Sequence, residues 1–465
     1  MPQKQSRISR RSFFVKSSAA TAALAAGSLV TNDDYEAIAQ NVNTNSQPSE
    51  LKITDIRCAR IGRTGWLRID TNQGISGYGE WYAVGSPKTY FLMLKSRLLG
   101  MNPCNVDQIF QKIKQFGYHA RQGGGISGIM IACMDLAGKA WNVPLWQMLG
   151  GKYRDRVLVY ADTESSLDPV HQGEHLKSRT EDDRGYKFLK MDLNIMALAS
   201  RVKGGITRPP AESIDANNTA HPFTGIHITN AGLKAVEEYC ATIRDIVGWE
   251  IPISTDHFGH FPVEDCIKIA RTVDQFNFAW LEDMVPWQYT DQYVRLKNSC
   301  TTPILTGEDI YCKEGFMDLF EKQAISICHP DVGWCGGPLE QRKIGTLATE
   351  HGIATAFHQS GSPASFFASV HCASTLQNFM VMEHHNSDDP WYNDLVDGVE
   401  KPFVKDGYVT VPNGPGLGFT FNEEANKKQL REPGWFDPTD EWDNEESWDR
   451  LWSFSKPAAK KSVLS

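Results

Sequence analysis

From Leu51 to Glu80 apolar and polar residues alternate around Gly62, Gly65, Asn72 and Gly74. A period of two puts successive side chains on opposite faces of a strand, so this stretch predicts a small antiparallel sheet with tight turns at those positions. Farther on, Ile129, Cys133, Leu136, Ala137 and Ala140 recur at helical spacing, and Gly150-Gly151 is expected to end a helical segment that runs to Leu149. Together the two patterns predict an α+β domain over about 50–150.

Beyond that domain, short apolar runs alternate with longer helical stretches, the pattern of repeated βα units around a parallel sheet. The runs are Val157–Ala161, Phe188–Leu193, Ile251–Thr255, Phe278–Leu281, Ile304–Thr306, Ala324–Cys328, Ile353–Ala356 and Phe379–Met382. Eight of them fit a closed barrel over about 151–410, whose site should lie at the C-terminal ends of the strands. Between Asn194 and Thr229 a stretch rich in Gly, Pro and Asn is longer than an ordinary βα connection, and long loops in compact domains are often functional. The segment from about 411 to 465 is expected to return to the first domain and end in an acidic, Trp-rich tail. That tail should pack on the body or on another subunit, and the chain is expected to form a homo-oligomer.

The first forty residues stand apart from this pattern. Ser9-Arg10-Arg11-Ser12-Phe13-Phe14 precedes a small-residue apolar run from Ala19 to Val30 and then Ala37-Ile38-Ala39, which resembles a twin-arginine export signal. Residues 1–39 are therefore expected to direct export to the periplasm and to lie outside the fold. The apolar run is too short for a stable membrane span. Ten scattered cysteines without a CxxC pair read as buried free thiols rather than disulfides. A formal charge of −9 leaves no basic field for nucleic acid.

Acidic residues follow three successive runs: Asp256, Glu282 and Glu308, spaced 26 residues apart each time. That interval is one βα unit, so the three carboxylates should meet at the barrel mouth. Three such groups repel unless a divalent cation sits between them, and oxygen-only ligands suit Mg²⁺ better than zinc. Asp283, Asp309 and Asp265 are read as caps or supporting partners. The next runs end in His329-Pro330-Asp331 and Phe357-His358, which makes Asp331 and His358 neighbours. A carboxylate beside an imidazole fixes its tautomer and keeps it basic enough to take a proton. Glu383 follows on the last run, where it can donate or accept a hydrogen bond beside the metal.

At this point the sequence resembles the enolase superfamily and, within it, the mandelate racemase group that includes the acid-sugar dehydratases. The resemblance covers nearly all of residues 50–425. It is carried by Cys133-Met134-Asp135-Leu136-Ala137-Gly138-Lys139-Ala140, by Val143-Pro144-Leu145-Trp146-Gln147-Met148-Leu149-Gly150-Gly151, and by Pro330-Asp331-Val332, Gly336-Gly337 and Pro415-Gly416-Leu417-Gly418. It implies an α/β fold, an enolase-like modified (β/α) TIM-type barrel with an N-terminal α+β capping domain. It further implies Mg²⁺ on Asp256, Glu282 and Glu308, a His358–Asp331 dyad as general base, and Glu383 as the acid on the last catalytic strand. The implied reaction removes the proton α to a carboxylate and expels the β-hydroxyl of a small sugar acid, an aldonate or aldarate, to give a 2-keto-3-deoxy acid.

Racemases and cycloisomerases of the group usually carry Lys-x-Lys on the second strand, where this chain has Lys190-Met191-Asp192. An ordinary carboxylate is a weak base, so Asp192 favours dehydration over two-base racemisation. Lys190 then holds the substrate carboxylate or pairs with Asp192. Galactonate-type dehydratases carry a histidine two places after the first metal ligand, where this chain has Phe258; the acid that protonates the leaving hydroxyl is then His257 or His260. Tyr82 and Arg121 stand in cap segments that resemble the loops closing over substrate. The alternatives are a racemase, epimerase or cycloisomerase of the same fold, or a secreted sugar-acid binding protein.

Overall fold

The computed structural model describes residues 47–82, 91–119, 125–207, 226–258 and 261–443. The export-signal segment, Arg121, His260, half of the Gly- and Pro-rich stretch, and Trp448 and Trp452 of the tail lie outside the described residues, as does the side chain of Tyr82.

Three strands, β1 (Ile53–Ile61), β2 (Thr64–Thr71) and β3 (Ser76–Tyr82), form the antiparallel cap sheet in the order β1-β2-β3. Gly65 is not a turn residue, as the alternation suggested, but lies inside β2, where a Cβ would sit 2.1 Å from the Trp81 ring. The sheet packs on the helix Ile126–Trp141 at backbone distance: a Cβ on Gly79 would fall 2.0 Å from Gly128 O. That helix stops earlier than its apolar spacing suggested. Asn142 adopts the left-handed conformation at φ 56°, and Pro144 opens a separate short turn, Leu145–Met148. The buried Asp135 carboxylate accepts from Tyr78 N of the cap sheet and Leu417 N of the returning chain, both at 3.0 Å. The signature around Asp135 is therefore the seam between cap and barrel.

All eight runs become barrel strands: β4 (Arg156–Ala161), β5 (Leu189–Asp192), β8 (Ile253–Asp256), β9 (Leu281–Glu282), β10 (Ile304–Thr306), β11 (Ile327–Cys328), β12 (Ala354–Phe357) and β13 (Phe379–His384). Between β5 and β8 a small antiparallel pair, β6 (Ile206–Thr207) and β7 (His227–Ile228), interrupts the repeat. Neighbouring barrel strands pair in parallel, and β13 closes the ring onto β4. The strand Tyr408–Thr410 lies antiparallel against the start of β4. The ten cysteines are free, with Cys104 and Cys300 partly exposed. No helix among the described residues is long and apolar enough to cross a membrane.

The barrel interior is layered by the period of two. Tyr160, Phe188, Trp280, Ala356 and Val381 pack together as an apolar floor, with Phe188 and Trp280 stacked at 5.1 Å. Two residues along each strand, the next inward positions are Asp162, Lys190, Glu282, His358 and Glu383. One turn of the pleat thus separates the hydrophobic floor from the charged layer.

Candidate active site

Asp256, Glu282 and Glu308 each offer a carboxylate oxygen within 4.8 Å of the others. Asp256 and Glu282 end their strands, and Glu308 follows Gly307, whose φ of 142° lets the chain turn back over the mouth. Trp280 donates its indole N–H to Glu282 Oε2 at 3.0 Å and orients it from below. Burial and repulsion from Glu282 push the Asp256 carboxyl up to about 7, against the pull of Lys190 and His257. Buried Glu282 moves the other way: burial raises it, but the charges of Lys190 and His329 outweigh that and hold it well below the usual range.

Lys190 is 3% exposed, and its ammonium lies 3.1 Å from Asp256 Oδ2, 3.1 Å from Glu282 Oε1 and 3.3 Å from Glu383 Oε1. Burial works against its charge, and these three carboxylates more than reverse the effect. The pairing of Lys190 with Asp192, one of the two sequence expectations, does not occur. Asp192 stands at the strand end, beyond the charged layer, and pairs with His257 instead. Three carboxylates, Asp256, Glu282 and Glu383, thus share a single ammonium, and a fourth, Glu308, stands 3.3 Å from His358 Nε2. Hard oxygen donors at this spacing, carrying uncompensated negative charge, fit a hard divalent cation.

On the far side His358 and Asp331 are bridged across β11 and β12, and His358 Nδ1 lies 2.5 Å from Asp331 Oδ2. Gly333 N donates to the other Asp331 oxygen at 2.6 Å, so the carboxylate is fixed at both ends. His358 Nε2 points into the mouth, 3.3 Å from Glu308 Oε2 and 3.4 Å from Glu383 Oε2. Burial lowers the proton affinity of His358, but Glu308, Glu383 and Asp331 together drive it well above the usual range.

The backbone at His257 departs from strand alternation, and His260, the other candidate acid, lies outside the described residues. The His257 φ of 60° breaks the extended backbone just past β8, so this residue does not turn away from Asp256 as the next strand residue would. Its Nδ1 lies 2.9 Å from Asp192 Oδ1 and 3.5 Å from Asp256 Oδ2. The hydrogen bond to Asp192 and the Asp256 charge, opposed by burial, raise its pKa to about 9. Phe258, at the position of the dehydratase histidine, is buried in the core.

Three further groups at the site were not singled out from the sequence. Asp162 follows β4 directly and lies 3.0 Å from His385 Nδ1, and a position just past its run, which picked the other acids, points to it as well. Its run ends in an ordinary alanine and no spacing partner flagged it. Buried His329 sits beneath the dyad, its Nε2 3.4 Å from Glu282 Oε1. Glu80, on β3 of the cap and 1% exposed, accepts at Oε2 from Ser362 N at 2.7 Å and Ser362 Oγ at 2.6 Å. Ser362 caps the helix Pro363–Ser374 directly after the His358 loop. Burial pushes the Glu80 carboxyl up to about 7, despite hydrogen bonds from Ser362 and Ser365.

Residues 35–150 match the N-terminal domain of the mandelate racemase / muconate lactonizing enzyme family, and residues 178–425 match the enolase C-terminal domain-like family. The chain is 31% identical over 393 residues to D-xylonate dehydratase of Haloferax volcanii, a match that covers 82% of this chain and 90% of that protein. It is 27% identical over 386 residues to a D-galactonate dehydratase family member of a Marinomonas species, covering 79% of this chain and 92% of that one. Among solved structures, a mandelate racemase/muconate lactonizing enzyme-like protein from Rubrobacter xylanophilus superposes with a TM-score of 0.70 at 27% identity, covering 83% of this chain and 99% of that one.

Proposed function

Because the chain belongs to the mandelate racemase / muconate lactonizing enzyme family of enolase-type proteins, we propose that it is a Mg²⁺-dependent dehydratase of a sugar acid. It removes the proton α to the carboxylate and expels the β-hydroxyl, leaving a 2-keto-3-deoxy acid once the enol tautomerises. Relatives named for xylonate and galactonate dehydration support the sugar-acid class. The observation that carries the reaction type is the pairing of two His–carboxylate dyads across one barrel. His358–Asp331 comes from strands seven and six, and His257–Asp192 from strands three and two, so the two imidazoles stand on opposite sides of an eight-stranded mouth.

His358 is the base. With its Nδ1–H donated to Asp331, the Nε2 lone pair is left facing the mouth to take the α-proton. Asp256, Glu282 and Glu308 would hold the Mg²⁺, which when bound supplies positive charge to the substrate carboxylate as that proton leaves. Pairing Glu308 with a cation would also offset the largest of the charges that raise the proton affinity of His358, and so shift the imidazole toward its basic form. His257, protonated near neutral pH because of Asp192, donates the proton that turns the departing hydroxyl into water. Lys190 holds Glu282, Asp256 and Glu383 in place and adds a positive charge at the floor of the site. With its ammonium so engaged and Asp192 tied to His257, no free second base faces His358 among the described residues, which favours elimination over racemisation.

The test is incubation with a stereochemically complete set of aldonates and aldarates plus Mg²⁺, scored for 2-keto-3-deoxy acid. Turnover of at least one member is expected. Silence across the whole set, with metal bound and the protein folded, refutes the reading.

A further inference from the structure

Between His358 and the helix Pro363–Ser374 stand four residues, Gln359, Ser360, Gly361 and Ser362. Gln359 N donates to Glu383 Oε2 at 3.2 Å, and the Gln359 carbonyl accepts from His385 N at 3.3 Å. The Gly361 carbonyl accepts from Tyr392 Oη at 2.9 Å. These three anchors belong to β13 and the chain that follows it. The anchor at Ser362 comes from the cap: its backbone N–H and its hydroxyl both donate to one oxygen of Glu80 on β3.

Side chains carry that contact back to the base. Ser365 Oγ donates to the Ser362 carbonyl at 3.1 Å and accepts from Gln359 Nε2 at 3.0 Å, and Gln359 is the neighbour of His358 in sequence. Ser362 Oγ also accepts from Ala364 N at 3.2 Å, so the group that meets Glu80 caps the helix as well. Glu80, Gln359, Ser362, Ser365 and Glu383 are all buried, where water does not replace a lost partner. The fit is close: a Cβ on Gly361 would fall 2.1 Å from Glu80 Oε1 and 2.3 Å from Ser365 Oγ. Asp331 sets the tautomer and tilt of the His358 ring. The place of its Cα is set by the backbone on either side, β12 before it and this loop after it.

We propose that Glu80 is a positioning residue: the cap carboxylate fixes the loop after β12 and so places His358 Nε2 against the α-carbon of the substrate. The inference rests on His358 as the base of the proposed reaction and makes its alignment depend on the docking of cap on barrel.

The experiment measures kcat, KM and Mg²⁺ affinity for wild type, Glu80→Ala, Glu80→Asp, Glu80→Gln and His358→Asn, with the aldonate or aldarate that the substrate screen shows to be turned over. A small misplacement of a reacting group costs up to about a hundredfold in rate. Glu80→Ala should therefore lower kcat by about tenfold or more, while KM and the Mg²⁺ dissociation constant, read by calorimetry, stay within about threefold. Glu80→Asp keeps the charge but ends one methylene short of Ser362, so its kcat should fall nearly as far; it gives the answer if the alanine variant does not fold. Glu80→Gln, an acceptor of the original reach, should recover most of the loss. A smaller fall in kcat in the folded alanine and aspartate variants overturns the inference. So does a fall matched by weaker binding of substrate and Mg²⁺, the mark of general loosening, and so does a glutamine variant as slow as the alanine one. Full activity in His358→Asn overturns instead the assignment of the base, and silence of wild type across the whole screen overturns the dehydratase reading itself.

Discussion

Replacing Glu80 with Gln should stabilise the protein above neutral pH and do little below pH 5. The Glu80 side chain carries a charge from the cap into a buried contact with the barrel, where its two strongest partners are Ser362 N and Ser362 Oγ. Its carboxyl is raised from the usual 4.5 to about 7 by burial. The folded state therefore holds this proton more tightly than the unfolded chain does. The resulting stabilisation is fully present below about pH 4.5, is lost as pH rises toward 7, and is absent above it. At about 1.4 kcal/mol for each tenfold change in proton affinity, the window is worth on the order of 3 kcal/mol. A glutamine oxygen still accepts both Ser362 hydrogen bonds and never ionises. Denaturant titrations of both proteins at pH 5, 6, 7 and 8 give the difference directly, and any effect of metal ligation cancels because Glu80 touches none of the three acids at the metal position. The stability of Glu80→Gln relative to wild type should climb by roughly 2–3 kcal/mol across that range. A difference that stays flat with pH, or that falls, refutes the reasoning.

Four other outcomes follow from the same geometry. Chelation should abolish activity, and Glu282→Gln should weaken Mg²⁺ binding, read by calorimetry, by more than the about 10–100-fold typical of losing a group behind a ligand. Asp331→Asn should lower kcat less than His358→Asn does, because it mis-sets the tautomer but leaves the imidazole present; steady-state kinetics on both variants give the order. Gly361→Ala should destabilise the cap–barrel contact in thermal melts, since a Cβ there would fall 2.1 Å from Glu80 Oε1. Arg10→Lys with Arg11→Lys should leave the protein in the cytoplasm in cell fractionation, if residues 1–39 direct twin-arginine export.

The barrel was legible in the sequence because its strands are buried on both sides, so each wrote a short, mainly apolar run, and because 26-residue spacing carried three acids to the same height. The charged layer was legible in part. Asp256, Glu282, Glu308, Asp331, His358 and Glu383 all follow their runs, but Asp162 follows its run just as closely and passed as an ordinary loop acid. What local pattern cannot show is which groups meet across the ring. The ammonium of Lys190 reaches three carboxylates on three other strands rather than its own neighbour Asp192, a choice made by the closure of the barrel. The orientation of His257 depends on one left-handed backbone angle, uncommon outside glycine, which no periodicity announces. Glu80 stands in the cap segment that resembles a loop closing over substrate, but its burial against Ser362 comes only from the docking of cap on barrel.

If His358 alone takes the α-proton and a hydroxyl then leaves, turnover of the active sugar acid in D₂O, followed by mass spectrometry and NMR of both product and recovered substrate for wild type and His358→Asn, reads out both steps. The wild type should give a 2-keto-3-deoxy acid with solvent deuterium at C3. In His358→Asn, dehydration and α-proton exchange should both fall by about a hundredfold to ten-thousandfold with Mg²⁺ affinity intact. Recovered substrate inverted at C2 and deuterated there, with no keto acid, would contradict this course and make the protein an isomerase with a second working base.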